Sequence, residues 1–527
     1  MENFICAKIS QEANFIERYF SKGRHPAQTP SCRNVNSNVY RPELNKDATL
    51  YFQIMNRIIN FRKLLHTGII LLICLTSCSR QIDENKFDHL FQDWNKTDEP
   101  GGAIGVIQNG ELIYSKGFGI ADLEHNIPIT PKTVFYLASL SKQFTAFCIL
   151  LLEEKGLLRL DDEIQKYLPD FPEYEAPITI SQLIHHSSGL RDYSTLIDLR
   201  GGSYLEDISE KEVYELIKRQ ESLNFKPGDK YLYSNTGYFL LAKIVEVVTK
   251  ETLKQFAQKN IFDPLGMTNT IFLDDNRTLI KNRAFSYNRT EGKLGFSNII
   301  RRFDLVGSGG VYSTIEDMAL WDKNFEHNKL GNGGQAIIEK MYQPEILNDG
   351  KRNNYAFGLE NKTYRGIDRI SHSGSHAGFR TFYIRVPEDN TSVILLSNRR
   401  DGDLNKVFMI LDIMLEDKLQ PTNPPTTPSG SKEEITKIDL TLEQLRLFVG
   451  NYYSKELKVY YSIFERENEL MLRVNDGEET YLKKVDTETL SNEEFGNFSF
   501  VIKRDRVLGF NLSNDRVNNI YFSNVEN

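Results

Sequence analysis

Ser139-Leu140-Ser141-Lys142, with Phe144, Phe147, Cys148, Leu151 and Leu152 behind it, is the stretch on which the reading of this chain turns. The apolar positions follow the i, i+3, i+4, i+7, i+8 spacing of an amphipathic helix that buries one face. Gly156 then reads as its C-cap. Residues three apart share a helix face, so Ser139 and Lys142 are predicted to point together into a cleft. A serine beside a lysine whose charge is suppressed by burial is an activated nucleophile. A match of this spacing arises by chance about twice in a chain this long, so context decides its weight. Two polar triplets downstream supply that context, Tyr233-Ser234-Asn235 and His372-Ser373-Gly374. In an extended loop Tyr233 and Asn235 alternate around Ser234 and face the same way. A phenol and an amide beside a lysine relay a proton and orient a substrate carbonyl.

With Leu183-Ile184-His185-His186-Ser187-Ser188-Gly189-Leu190, Phe225-Lys226-Pro227-Gly228 and Gly309-Gly310-Val311-Tyr312-Ser313-Thr314, these motifs form an ordered set between Gly101 and Asn398. The set resembles the β-lactamase-related serine hydrolases, nearest the class C branch with its esterases, D-aminopeptidases and penicillin-binding relatives. The resemblance implies that Ser139 is acylated, that Lys142 is its neighbouring base, and that Tyr233 is the second proton-transfer group. It implies further that Asn235, His372, Ser373 and Gly374 bind substrate, with the backbone N–H groups of Ser139 and Ser375 as the oxyanion hole. Where β-lactamases and penicillin-binding proteins usually carry lysine in the third triplet, this chain has His372. Imidazole is mostly neutral at pH 7, which weakens attraction for an anionic terminus. The expected activity is therefore hydrolysis of esters or D-amino-acid-containing peptides through an acyl-enzyme on Ser139. The alternatives are a β-lactamase or penicillin-binding D-Ala-D-Ala carboxypeptidase, and a catalytically inactive lipoprotein that binds wall peptides.

Other polar features have plainer readings. His185 and His186 are adjacent and diverge on any regular backbone, and no metal-ligand spacing accompanies them, so neither a metal nor a cofactor is expected. His186 reads as a structural hydrogen-bonding residue. Gly307-Ser308-Gly309-Gly310 lacks the lysine pattern of a phosphate-cradling loop. Ser313 with Glu316 reads as a capping box that starts the next helix. Cys148 falls on the apolar face of its helix and reads as a core residue.

Near the N-terminus, Arg57, Arg62, Lys63 and His66 precede the apolar run Gly68 to Leu75, and Leu75-Thr76-Ser77-Cys78 follows. A basic segment, a short apolar segment and small residues mark a secretory signal, too short for a stable transmembrane span. Its ending resembles a bacterial lipoprotein signal, which implies lipidation of Cys78 and an exported protein anchored to a bacterial membrane. Residues 55–77 are the expected signal, with Met55 its start, and residues 1–54 an upstream extension without periodicity, expected to be disordered. Of 5 cysteines, only Cys148 follows Cys78, so no disulfide is available within the mature chain.

A net charge of −8 disfavours general nucleic-acid binding, and the expected partners are a small-molecule or peptide substrate and the membrane. The expected fold is α+β, an antiparallel sheet flanked by helices plus a helical subdomain over 78–419. Residues 102–118 read as a hairpin through Asn109-Gly110, Phe379–Val386 and Ser392–Leu396 as strands, and about Leu404 to Leu415 as a closing helix. A Pro/Thr/Ser-rich stretch, Gln420 to Ser431, marks a linker over 420–439. Six closely spaced strand patterns beyond Val459 predict a small all-β barrel over 440–527. Phe448-Val449-Gly450-Asn451-Tyr452-Tyr453 resembles the start of the lipocalin-like domain appended to some relatives.

Overall fold

The hairpin predicted around Asn109-Gly110 forms strands β1 (Gly102–Gln108) and β2 (Glu111–Phe118). Asn109 and Gly110 both take positive φ, 51° and 71°, the backbone a tight two-residue hairpin turn demands. The structure, a computed structural model, describes residues 83–203, 207–292, 295–421, 445–504 and 506–525. The expected extension 1–54, the signal 55–77, Cys78 and nearly all of the linker lie outside the described residues. Among the described residues no helix is long and apolar enough to cross a membrane.

The hairpin forms one side of a six-stranded antiparallel sheet with β3 (Glu360–Tyr364), β4 (Ile367–His376), β5 (Phe379–Val386) and β6 (Thr391–Ser397). The order is β3-β4-β5-β6-β1-β2, so the N-terminal hairpin joins the sheet beside its last strand in sequence. Gly102 pairs with Ser397 and Gln108 with Thr391 across that junction. Both faces of β1 are buried. A Cβ on Gly102 would strike Trp94, which follows helix α1 (Glu84–Leu90), and one on Gly105 would strike Ile315. Residues 102 and 105 face opposite ways on a strand, so helices cover the sheet on both sides.

Helix α2 (Lys142–Glu154) follows a 3₁₀ turn over Ala138–Ser141. Here the amphipathic expectation fails, because every residue from Lys142 to Leu152 is buried. The polar members are satisfied by partners rather than by water. Thr145 donates to the Gly307 carbonyl at 2.8 Å, and Gln143 Oε1 accepts from the Trp321 indole at 3.0 Å. Helix α3 (Tyr193–Leu199) is capped by Asp192, and helix α4 (Asn235–Thr249) packs on α2. Gly237 belongs to α4 rather than to a loop turn. A Cβ there would lie 2.7 Å from the Leu183 carbonyl, so glycine permits the close helix contact. Helix α5 (Ile315–Glu326) is capped by Thr314, whose hydroxyl accepts from Asp317 N–H at 3.0 Å, not by the predicted Ser313 and Glu316 pair. Ser313 sits at the end of a strand and bonds Thr270 instead. The predicted closing helix is α6 (Lys406–Met414), packed on β6 and α1.

Beyond the linker the chain closes an eight-stranded barrel in which each strand pairs with the next and the last with the first. Its strands are β7 (Gly450–Ser454), β8 (Val459–Arg466), β9 (Glu469–Val474), β10 (Glu479–Lys484), β11 (Thr489–Asn492), β12 (Gly496–Lys503), β13 (Arg506–Ser513) and β14 (Ile520–Asn524). Two of them, β7 and β11, exceed the six predicted; β11 is four residues long with one apolar side chain, too short to show alternation. The interior is filled by aromatic rings, among them Tyr461, Phe498, Phe510 and Phe522, with Phe510 and Phe522 stacked at 4.8 Å.

The barrel docks on the helical region around a buried ion pair of Arg191 with Glu456. The Arg191 guanidinium is fully enclosed and bonds the Glu456 carboxylate, Gln220 and the carbonyls of Asn518 and Asn519. Glu456 also accepts the Glu221 N–H at 2.9 Å, and the Tyr461 hydroxyl donates to the Leu199 carbonyl at 2.7 Å. Removing one partner of such a pair strands a buried charge and costs about 3–5 kcal/mol. Glu456→Ala is therefore expected to lower stability by that amount in chemical denaturation. Its barrel should be released from the helical region first, which limited proteolysis within 420–445 would reveal.

Candidate active site

Ser139 lies in the first turn of its 3₁₀ helix, where backbone N–H groups have no intrahelical acceptor. Ala138 before it is held at φ 51°, a left-handed conformation that costs a residue with a Cβ about 1–3 kcal/mol. Packing enforces it. The Leu137 carbonyl accepts from Thr381 at 2.8 Å, and β4 runs directly against this turn. Gly374 on β4 permits that approach, since a Cβ would stand 2.4 Å from the Leu137 carbonyl and 2.2 Å from Thr381 Oγ1. Ser139 and Ser375 consequently line the same cleft, which has a volume of about 980 Å³.

Lys142 projects from the start of α2 with its side chain wholly enclosed. Its Nζ lies 3.2 Å from Ser139 Oγ and donates to Asn235 Oδ1 at 2.8 Å and to the Ser308 carbonyl at 2.6 Å. Burial pushes its pKa well below the ordinary lysine value of 10.5, Asp192 opposing and Arg516 adding to the shift. Asp192 does not touch the ammonium directly. It accepts the Asn235 N–H at 2.6 Å and caps α3 through Ser194 and Thr195, so one carboxylate ties the second triplet to α3.

The second triplet is not a free loop. Asn235 is the first residue of α4, and Ser234 before it is extended, so Tyr233 and Asn235 converge because a helix begins there. His186, held at φ 59°, accepts the Ser234 N–H on Nδ1 at 3.2 Å and packs tilted against the Tyr233 ring with centroids 4.3 Å apart. Its predicted structural role is what the structure displays. His185 turns away and bonds the Ser181 carbonyl at 2.8 Å. Tyr233 interacts with the Ser139 hydroxyl, and Lys142 Nζ stands 4.8 Å from its ring. Burial raises the Tyr233 phenol above its ordinary pKa, against the opposing pull of Ser139 and Arg516. Burial therefore favours the neutral amine at Lys142 and the neutral phenol at Tyr233 over ammonium and phenolate.

His372 is held through both ring nitrogens. Its Nδ1 donates to the Ser373 carbonyl at 2.6 Å, which leaves Nε2 to accept from the Tyr355 hydroxyl at 2.8 Å. Burial and the neighbouring Lys142 push its pKa down to about 3. Ser373 is exposed beside it and Gly374 is buried, in the alternation of a strand. Cys148 is buried with its thiol pushed up by burial, as a core residue should be.

The structure brings together Ser139, Lys142, Tyr233, Asn235, His372, Ser373 and Ser375. It adds groups that the motifs do not name. Tyr193 bonds the Ser308 hydroxyl at 2.8 Å, on the residue whose carbonyl holds Lys142. Tyr355 fixes His372, and Tyr136 bonds the Gly310 N–H at 3.2 Å. Asp192 carried a readable signal as an acidic N-cap, whereas the tyrosines and Arg516 carried none. The barrel also enters the cleft, whose lining includes Glu493, Glu494, Asn514, Asp515 and Arg516. Asp122, largely covered, gathers with the exposed Glu124 and His125 at a turn, and the cleft itself gathers no set of metal ligands among the described residues.

A model of the family described as Beta-lactamase matches residues 87–411. Penicillin-binding protein 4* of Bacillus subtilis (strain 168) is 31% identical over 342 residues, covering 60% of this chain and 73% of its own length. A D-aminopeptidase of Gluconobacter oxydans (strain 621H) is 28% identical over 335 residues, and the chain spans 62% of its length. Among solved structures, the octameric penicillin-binding protein homologue from Pyrococcus abyssi superposes with a TM-score of 0.57 at 22% identity. That likeness covers 84% of this chain and 99% of the other, a likeness of fold.

Lys142 accepts a proton only when neutral, so covalent modification of Ser139 by a neutral electrophile should accelerate with rising pH as Lys142 deprotonates. The plateau should come well below 10.5, because burial lowers the lysine. Lys142→Arg keeps a charge that cannot be removed. Its modification rate should fall at least about 10²-fold at every pH, read by mass spectrometry.

Proposed function

This chain belongs to the beta-lactamase family, and from that kinship and its cleft we propose a serine hydrolase working through an acyl-enzyme on Ser139. The observation that carries the proposal is the enclosure of Lys142 against Ser139. A neutral amine has two N–H groups, and Asn235 Oδ1 and the Ser308 carbonyl take both. Its lone pair is left for the Ser139 hydroxyl at 3.2 Å. In acylation Ser139 Oγ attacks the substrate carbonyl while its proton passes to Lys142. The backbone N–H groups of Ser139 and Ser375 receive the charge that develops on the carbonyl oxygen, an interaction worth about 10²–10³ in rate per donor. The Tyr233 phenol protonates the leaving group, and Lys142 returns the proton to it. Water attacks the acyl-enzyme by the reverse order, with Asn235 holding the acyl chain.

The substrates proposed are esters and D-amino-acid peptides. Relatives named D-aminopeptidase and penicillin-binding protein support the peptide class, and neutral His372 supports weak turnover of β-lactams. The sequence at 55–78 adds export and a lipid anchor on Cys78 to the proposal. An acyl mass on Cys78 in the membrane fraction tests that part.

The central test is intact mass after reaction with a fluorophosphonate, wild type beside Ser139→Ala. One adduct in wild type and none in the variant is the expected result. Absence of an adduct in both would overturn the hydrolase reading. Among reactive substrates, D-peptides and esters should turn over far faster than a cephalosporin.

A further inference from the structure

His372 is held neutral by burial, and the Lys142 side chain is wholly enclosed with its Nζ engaged by Asn235 and Ser308, so neither offers a substrate carboxylate an accessible cation. The barrel supplies one. The Arg516 guanidinium lies 5.0 Å from the Tyr233 ring centroid, on the side of Tyr233 and Tyr231, and it lines the cleft that Ser139 opens into. Arg516 is half-buried and, among the described residues, makes no ion pair with a carboxylate, while two acids of the same cleft are already engaged. Glu360 pairs with Lys362 at 2.5 Å and Glu493 with Lys483 at 2.5 Å. Asp198 lies along the wall near Asp192 and Glu494, and its carboxyl is pushed up to about 7 by burial with those two acids adding. The other arginine at this end, Arg301, is sandwiched between Tyr136 and Phe303 at 4.7 Å from each and donates to the Leu305 carbonyl.

The loop that carries Arg516 is built rather than loose. Asn514 Oδ1 accepts the N–H groups of Arg516 and Val517 at 3.1 and 3.0 Å. From the helical region, Asn224 donates to the Arg516 carbonyl at 2.9 Å and accepts the Asn518 N–H at 2.8 Å. The buried Arg191 fastens the Asn518 and Asn519 carbonyls at 2.8 and 3.0 Å. A guanidinium on a preorganised loop binds a carboxylate at little entropic cost, because its planar fork is already set.

We propose that Arg516, delivered by the barrel beside Tyr233, is the specificity-determining residue for substrates whose leaving group carries a free carboxylate. The inference rests on the serine hydrolase reading and deepens it. Tyr233 faces the leaving group, so a carboxylate held by Arg516 belongs to the departing part of the substrate. Peptides that end in a free D-amino acid fit this cleft, and an amide or ester at that end forfeits the contact.

Titration calorimetry in the Ser139→Ala background separates binding from chemistry, with N-acetyl-D-alanyl-D-alanine and its C-terminal amide as probes. The free acid should bind about tenfold to a hundredfold more tightly than the amide, the size of a charged hydrogen-bonded contact. Ser139→Ala with Arg516→Ala should bind both probes alike, and with Arg516→Lys should keep part of the preference in a loop of unchanged charge. Equal binding of the two probes by Ser139→Ala, a preference that survives Arg516→Ala, or no binding of the free acid would each overturn the proposal. Fluorophosphonate labelling of chains with Ser139 intact is read in parallel. Failure to label the wild type counts against the hydrolase reading alone, because the calorimetric preference does not depend on it.

Discussion

The enclosure of the Lys142 side chain is the constraint on which the rest of this structure depends. An ammonium removed from water without a carboxylate in contact is costly, and the group sheds its proton instead. Around Lys142 the chain offers an amide oxygen from Asn235 and a carbonyl from Ser308, which satisfy an amine without restoring the charge. Each of those partners must then be held. Asn235 is fixed by Asp192, Ser308 by Tyr193, and the turn that carries Ser139 by Gly374 of β4 and Thr381 of β5. The helices and the sheet are thus joined at the point where the nucleophile is activated.

A second consequence is that the cleft has three walls of different origin. The sheet contributes His372, Ser373 and Ser375, the helical region contributes Ser139, Tyr233 and Asn235, and the barrel contributes Asn514 to Arg516. The barrel's placement is set by Arg191, which is buried only because Glu456 and three backbone carbonyl contacts repay its desolvation. The residue beside it, Asp192, orients Asn235. Adjacent residues on one short segment therefore fasten the barrel and organise the catalytic cluster.

Much of the fold was legible because it is local. Asn109-Gly110 dictates the hairpin, the aromatic and β-branched run Phe379–Val386 ahead of Pro387 marks a strand, and the spacing after Lys142 marks a helix. The period of α2 misled on burial, since Gln143 and Thr145 read as a wet face and are in fact capped by Trp321 and Gly307 from distant segments. The start of α4 at Asn235 was hidden because its cap is a carboxylate 43 residues earlier in the chain. Strand β11, with a single apolar residue, earns its place only through pairing with its neighbours.

The sequence by itself determined the order of the catalytic motifs, the neutral character available to a histidine at position 372, and the α+β sheet followed by a barrel. These follow from residue types and from periodicities that a chain expresses locally. Tertiary structure alone decided that Lys142 is stripped of water, that the Tyr355 hydroxyl meets Nε2 of His372, and that Arg516 stands over Tyr233. Each of these is a meeting of residues far apart in the chain. Their energies come from burial and from distances of a few ångströms, and neither exists until the segments have packed.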